Sequence, residues 1–452
     1  MSSLKAGFAR QDITPPLGIP VAGYYEKRYA KGYLDRLEVQ AIAIEKDDKR
    51  AIILNLDLIY IPNDFCAEQR KIISEFCDVP YDAVFVTSTH THTGPVLTPA
   101  ADEPEEVVAL IESYKTNLGL IMRDTAKYAF DDLKDAKFYV AESTAKNISF
   151  VRRYRMKDGS VQTNPGVDNP DIDHVLDEAS DALKLIQIKR CGAHDIYIVN
   201  FGVHPDVIGG DLISADFPRF VRETIEGALS DVKCVFINAA QGDVNHINTA
   251  PSQADRVGLC YDSFDGVPRG YEHAIHMGRV IAGSVLSICT KTVEVDVDKI
   301  SFGTKDVKIP TNMENDKLDW AQEILDMVES GRQDELPYKK MELTTAKARA
   351  ARIVRLKDGP EFYEMKFTCL RFGDIAFVGL PGEPFTGLGR QIIAASPFGT
   401  TVVCCLTNGA GYYYPTTVAY DEGGYEAGSS PLKKGVAEII TSSFVEILNK
   451  IK

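Results

Sequence analysis

The run Ala83-Val84-Phe85-Val86-Thr87-Ser88-Thr89-His90-Thr91-His92-Thr93-Gly94-Pro95 constrains this chain more than any other stretch. Val84, Phe85 and Val86 have the β-branched and aromatic character of a buried strand, and Thr93-Gly94-Pro95 forces a turn directly after it. His90 and His92 therefore stand at a strand end. Residues two apart in extended backbone project to the same side, so the two imidazoles can converge on one point, where a metal or a substrate would sit.

The pattern recurs along the chain. Ile196 to Phe201 reads as a strand running into Gly202-Val203-His204-Pro205. Val232 to Ile237 runs into Asn238-Ala239-Ala240-Gln241-Gly242-Asp243, and Ile375 to Val378 into Gly379-Leu380-Pro381-Gly382-Glu383-Pro384. Thr401 to Leu406 leads to the Tyr412 to Tyr414 run. Ligand sites in open α/β sheets collect outside the carboxyl ends of strands, so these turns are expected to meet. Two histidines and a glutamate brought together form a familiar ligand set for a catalytic zinc.

Elements between these strands define a mixed α/β class, a β-sheet core flanked by helices. Residues 4 to 13 read as a first strand, and Leu37 to Ile44 with Ala51 to Leu56 as a hairpin about Asp47-Asp48-Lys49. Asn63 to Phe76 has helical spacing, with Phe65, Ile72, Ile73 and Phe76 on one side. Pro104 to Tyr128 reads as a long helix, with Glu105 and Glu106 favourable in its first turn. Ala136 to Ala141 is a strand, and Arg152, Arg153 and Arg155 follow in an expected loop, a cluster that reads either as a solvated face or as one that serves an anionic group or transition state. Residues 270 to 289 read as a helix with His273 and His276 on its surface. From 317 to 354 the composition turns charged and helix-favouring, with Leu336-Pro337 between two helices; residues 311 to 356 are read as a cap within one domain spanning 1 to 452. Pro431 to Lys450 closes the chain as a helix.

Composition excludes some partners. The 50 Lys and Arg against 65 Asp and Glu leave a net charge of −15, and no basic stretch tracks phosphates, so no nucleic-acid partner is expected. No apolar run reaches the roughly 20 residues of a membrane span, and no basic amphipathic face argues for stable membrane association. Met1 to Ala6 lacks an apolar export core, which gives a cytoplasmic expectation. The nine cysteines are scattered and include no CxxC pair, so they read as reduced core residues. A small-molecule substrate is the expected partner, and the sequence does not set the oligomeric state.

The opening Gly7 to Gly18, the Thr89 to Pro95 turn, Asn238 to Asn248, Leu380 to Glu383 and Gly411 to Glu426 together resemble the neutral/alkaline non-lysosomal ceramidases across nearly the whole chain. The resemblance implies a zinc-dependent hydrolase cleaving the amide bond of an N-acyl compound by a metal-activated water. It implies zinc held by His90, His204, Glu383 and Tyr413, with Tyr412 as the alternative to Tyr413. His92 and Arg152 would contact the reacting group. Asp243 is expected behind a zinc-bound histidine, accepting its free ring N–H.

Two departures bear on function. The family's Gly-Asp-Val-Ser-Pro is Gly242-Asp243-Val244-Asn245-His246 here, so a serine nucleophile cannot act at that position. The family's carboxy-terminal immunoglobulin-like domain is absent from this sequence. Other readings of the same scaffold are a zinc hydrolase of an ester, lactone or glycoside, and a catalytically silent binding homologue.

Overall fold

All five residues of the Val84–Ser88 strand are buried, and it lies parallel to Lys49–Leu56, with Leu54 opposite Val86 and Leu56 opposite Ser88. Both strands read as unbroken apolar runs because both of their faces are covered. They form one edge of a nine-stranded mixed sheet in the computed structural model, which describes residues 3–259, 268–314 and 316–452. From that edge the order runs through Glu38–Lys46, Lys5–Asp12, Lys134–Thr144, Ala182–Arg190 and Asp195–Phe201 to Val232–Asn238, with Val293–Val295 paired beside Lys134–Thr144. The last two strands of that order are again a parallel pair.

Alternation along Asp195–Phe201 sends Ile196 and Ile198 into one apolar cluster and Tyr197, Val199 and Phe201 into another, so both faces of the sheet carry a core. On one side lies Glu105–Asp131, whose Ile111, Tyr114, Leu118, Met122, Ala126 and Ala129 make a buried stripe at helical spacing. Phe217–Ala228 and Tyr271–Ile288 cover the second cluster. A four-stranded sheet, Ile300–Pro310, Phe362–Phe372, Ile375–Gly379 and Thr400–Cys404, packs on the large one. Phe377 is fully buried between them, its ring 6.5 Å from that of Phe85 and 5.8 Å from that of Phe372. Truncating such a ring to alanine costs about 3–5 kcal/mol.

Polar groups tie the parallel strand ends together. The Val86 amide donates to Asn408 Oδ1 at 2.8 Å, and Asn200 Nδ2 donates to Ile237 O at 2.9 Å and Val403 O at 3.0 Å. Asn238 Nδ2 donates to both Thr89 O and Val203 O at 3.1 Å, which locks the two histidine turns to each other.

The charged stretch forms two helices, Leu318–Glu329 and Lys340–Leu356, inserted between the paired strands Ile300–Pro310 and Phe362–Phe372. They share a small core of Ala321, Ile324, Leu336, Ala350 and Ile353.

Two local expectations change. Phe76 is half exposed; the buried side of Asn63–Cys77 is Cys66, Gln69, Arg70, Ile73 and Cys77. Arg152 and Arg153 are not a solvated loop. They lie buried at the short strands Phe150–Val151 and Arg153–Met156. Arg153 donates from Nη2 to the carbonyls of Ala419 and Gly423 and to Glu422. Among the described residues no helix is long and apolar enough to cross a membrane.

Candidate metal centre

The strand-end turns meet. His90 follows Val84–Ser88 with its own φ at 77°, a left-handed conformation that an L-residue adopts at a cost. The amides of Thr89 and His90 donate to Leu56 O and Leu58 O, both at 2.9 Å, and hold that conformation. His204 follows Asp195–Phe201. Glu383 follows Ile375–Gly379 and pairs in parallel with Tyr413. Gly242 allows the turn after Val232–Asn238 to approach: a Cβ there would lie 2.5 Å from Glu383 O.

Three donor atoms close on one point. His90 Nε2 lies 3.1 Å from His204 Nε2, and Glu383 Oε2 is 3.2 Å from the first and 3.3 Å from the second. His92 Nε2 is 3.3 Å from His90 Nε2. A tetrahedral zinc with bonds of about 2.0–2.1 Å separates its ligand atoms by about 3.3–3.4 Å, so the spacing fits. Protonation argues the same way. His90 Nδ1 faces Ile59 O at 2.8 Å and His204 Nδ1 faces Gln241 O at 3.0 Å, so each ring carries its proton on Nδ1 and aims a lone pair inward. Burial holds the His204 imidazole well below its ordinary range. Burial works to raise Glu383, but His90 and Arg152 outweigh it and lower its pKa. The ring nitrogens of His90, His92 and His204 lie close enough together that the three histidines could hold a metal ion.

His92 is built differently. Its Nδ1 faces a carboxylate, Asp206 Oδ1, at 3.6 Å, and burial pushes its pKa down to about 3. Arg269 grips Asp206 through Nε at 3.0 Å and Nη2 at 2.9 Å, and Tyr24 donates to it at 3.3 Å. Burial works to raise the Asp206 pKa, and Arg269 more than offsets it. Gly23, at φ 104°, lets the preceding loop cross the imidazole, since a Cβ there would stand 2.7 Å from the His92 ring.

Arg152 forms the opposite wall. It donates from Nε to Glu426 Oε1 at 2.6 Å, and from Nη2 to Gly242 O at 2.9 Å and the Tyr413 hydroxyl at 3.2 Å. The Tyr413 ring stacks on His204 at 6.4 Å, while Tyr412 turns away onto Tyr363 at 5.2 Å. Between these groups lies a cavity of about 70 Å³, roofed by Tyr25 and by Met341 and Thr344 of the inserted helices.

Asp243 is not placed as expected. Its carboxylate accepts from the Thr386 amide at 2.7 Å and the Thr386 hydroxyl at 2.9 Å, at the start of the Thr386–Ala395 helix; backbone carbonyls stand behind His90 and His204 instead. Asn245 is also structural, bonding Asn164 Oδ1 at 2.9 Å and the Ile247 amide at 3.0 Å. Sequence reasoning missed Asp206, Arg269 and Gln241. Glu426 lies at the end of a stretch that carried the resemblance, which was the one signal available for it.

This arrangement lies on the neutral ceramidase fold. The solved neutral ceramidase from Pseudomonas aeruginosa is similar with a TM-score of 0.71 and 17% identity, over 99% of this chain and 74% of that one. A ceramidase solved in complex with C2 gives 0.71 and 16%, over 99% and 75%. No protein-family model matches the chain, and no curated protein does either.

Proposed function

We propose that this protein is a zinc-dependent hydrolase that cleaves the amide bond of a small N-acyl compound. The observation that carries the reading is the inward-facing cluster of His90, His204 and Glu383 beside a buried arginine. His90, His204 and Glu383 would hold the metal, with the Tyr413 hydroxyl closing the set. Zinc bound there supplies a Lewis acid for the carbonyl and an acidified water at neutral pH.

The chain's own groups do the rest. Arg152, kept cationic by Glu426, faces the place where negative charge develops on the acyl oxygen. His92 differs from the two metal-facing histidines because a carboxylate stands behind it, so Asp206 can stabilise the imidazolium that forms when His92 takes a proton and later returns it to the leaving amine. The charge of −15 opposes docking to anionic membranes, which favours a soluble substrate over a membrane lipid. All eight cysteines among the described residues are free, and seven of them are buried, which suits a reducing, cytoplasmic setting. Hydrolysis of matched soluble N-acyl substrates by metal-loaded and chelator-treated protein tests the reading. Metal-independent turnover, or turnover of esters alone, would overturn it.

A further inference from the structure

The roof of the catalytic cavity is also the wall of a second, larger one. A groove of about 440 Å³ runs between the inserted helices and the Val161–Thr163 strand with its following turn, and Met341 and Asn164 line both this groove and the catalytic cavity. The groove therefore adjoins the cavity beside the metal centre, with Met341 standing between the two.

The lining defines what fits. Trp320 Nε1 donates to the Tyr338 hydroxyl at 3.4 Å, which ties together two aromatic residues of the lining. The Arg349 guanidinium lies 5.9 Å from the Trp320 ring centroid and is anchored by Glu314. Arg349 is paired with Glu314, which leaves Lys339 and Lys340 as the lining's further cations against the carboxylate of Glu342, itself engaged by Gln162 at 3.0 Å. In a chain of net charge −15 this is a locally positive groove with an aromatic wall. Fixed aromatic rings bind flat apolar faces, and cations beside them select a negative substituent. An unsubstituted alkyl chain would gain nothing from Lys340, which an anionic substituent would reach.

We infer that the groove is a specificity subsite that takes the distal part of the substrate, a flat ring bearing a carboxylate or a similar anionic substituent, and that Met341 is the gate between it and the reacting amide. The inference rests on the hydrolase reading for its reaction but not for its binding. Trp320 is the only tryptophan in the chain, so its emission reports on the groove alone.

The experiment uses the full chain, metal-loaded and chelator-treated, with acetate, hexanoate and (4-carboxyphenyl)acetate as probes and the corresponding N-acyl ethanolamides as substrates. The aryl dicarboxylate is expected to change Trp320 emission saturably with and without metal, and acetate and hexanoate are not. Lys340→Ala and Tyr338→Ala should each weaken that binding by about fivefold or more, the scale of one contact of this kind. Met341→Ala should raise kcat/KM for the carboxyaryl amide relative to the acetyl amide, while Met341→Leu, of similar volume, keeps the wild-type ratio. A silent Trp320, or an equal response to hexanoate, overturns the subsite even if amides are hydrolysed. A specific Trp320 response in a protein that hydrolyses no amide keeps the subsite and overturns the reaction instead.

Discussion

The Asp206 carboxylate faces His92 Nδ1 at 3.6 Å, while the two neighbouring histidines rest on backbone carbonyls. A carboxylate favours an imidazolium more than a neutral carbonyl does, so under the proposed function the proton-transfer role falls to His92, where Asp206 works against the burial that lowers its pKa. Asp206→Asn should keep the metal and lower kcat by about 10–100-fold, the usual cost of losing such a positioning partner. Its kcat–pH profile should change shape, which a merely structural substitution would not cause. An unchanged profile would remove Asp206 from the mechanism.

Arg152 combines a functional and a structural contact. Arg152→Ala is expected to reduce turnover by about 100-fold or more. It also leaves Glu426 buried without its cation, a loss of about 3–5 kcal/mol in chemical denaturation. Pairing Arg152→Met with Glu426→Gln should recover most of the stability and none of the turnover. Recovery of both would mean that Arg152 only supports the fold.

Asn245 stands where the resembled family has serine. Its bonds to Asn164 and to the Ile247 amide make it a bracket, so Asn245→Ser should cost about 1 kcal/mol of stability and bring no gain in activity. An increase in kcat with serine would show that a side-chain nucleophile can operate here.

Stability should depend on pH through Asp216, which starts the Phe217–Ala228 helix by accepting from the Phe217 amide. Burial raises its pKa from 3.8 to about 7. The folded form then binds a proton that the unfolded chain has released, so this contribution is full below 3.8 and is lost as pH rises towards about 7. Asp216→Asn should remove a slope of about −1.4 kcal/mol per pH unit across that window. Denaturation midpoints measured over the window check it, and parallel wild-type and variant curves would contradict it.

The convergence of His90, His204 and Glu383 was legible because three separate apolar strands run into them beside glycine or proline, although Glu383 comes from the four-stranded sheet and the two histidines from the large one. The positioning groups were harder to see. Asp206 is one carboxylate on a proline turn, and Arg269 lies 63 residues further along the chain, so only the fold pairs them. Arg153-Tyr154-Arg155-Met156 reads as polar because a buried arginine held by carbonyls and a carboxylate leaves no apolar signature. Asp243 misled for a related reason: a carboxylate near a metal and a carboxylate capping a helix look the same in sequence. Phe76 failed on a different count, since helical spacing gives the period of a buried stripe but not its phase.

Metal content by elemental analysis, on wild type, His204→Ala and His92→Ala purified without added metal, tests the central claim most directly. About one zinc per chain is expected in the wild type, little in His204→Ala because the remaining donors seldom hold zinc firmly, and nearly full occupancy in a His92→Ala protein that has lost turnover. A wild type without zinc, or His204→Ala with full occupancy, would contradict the account.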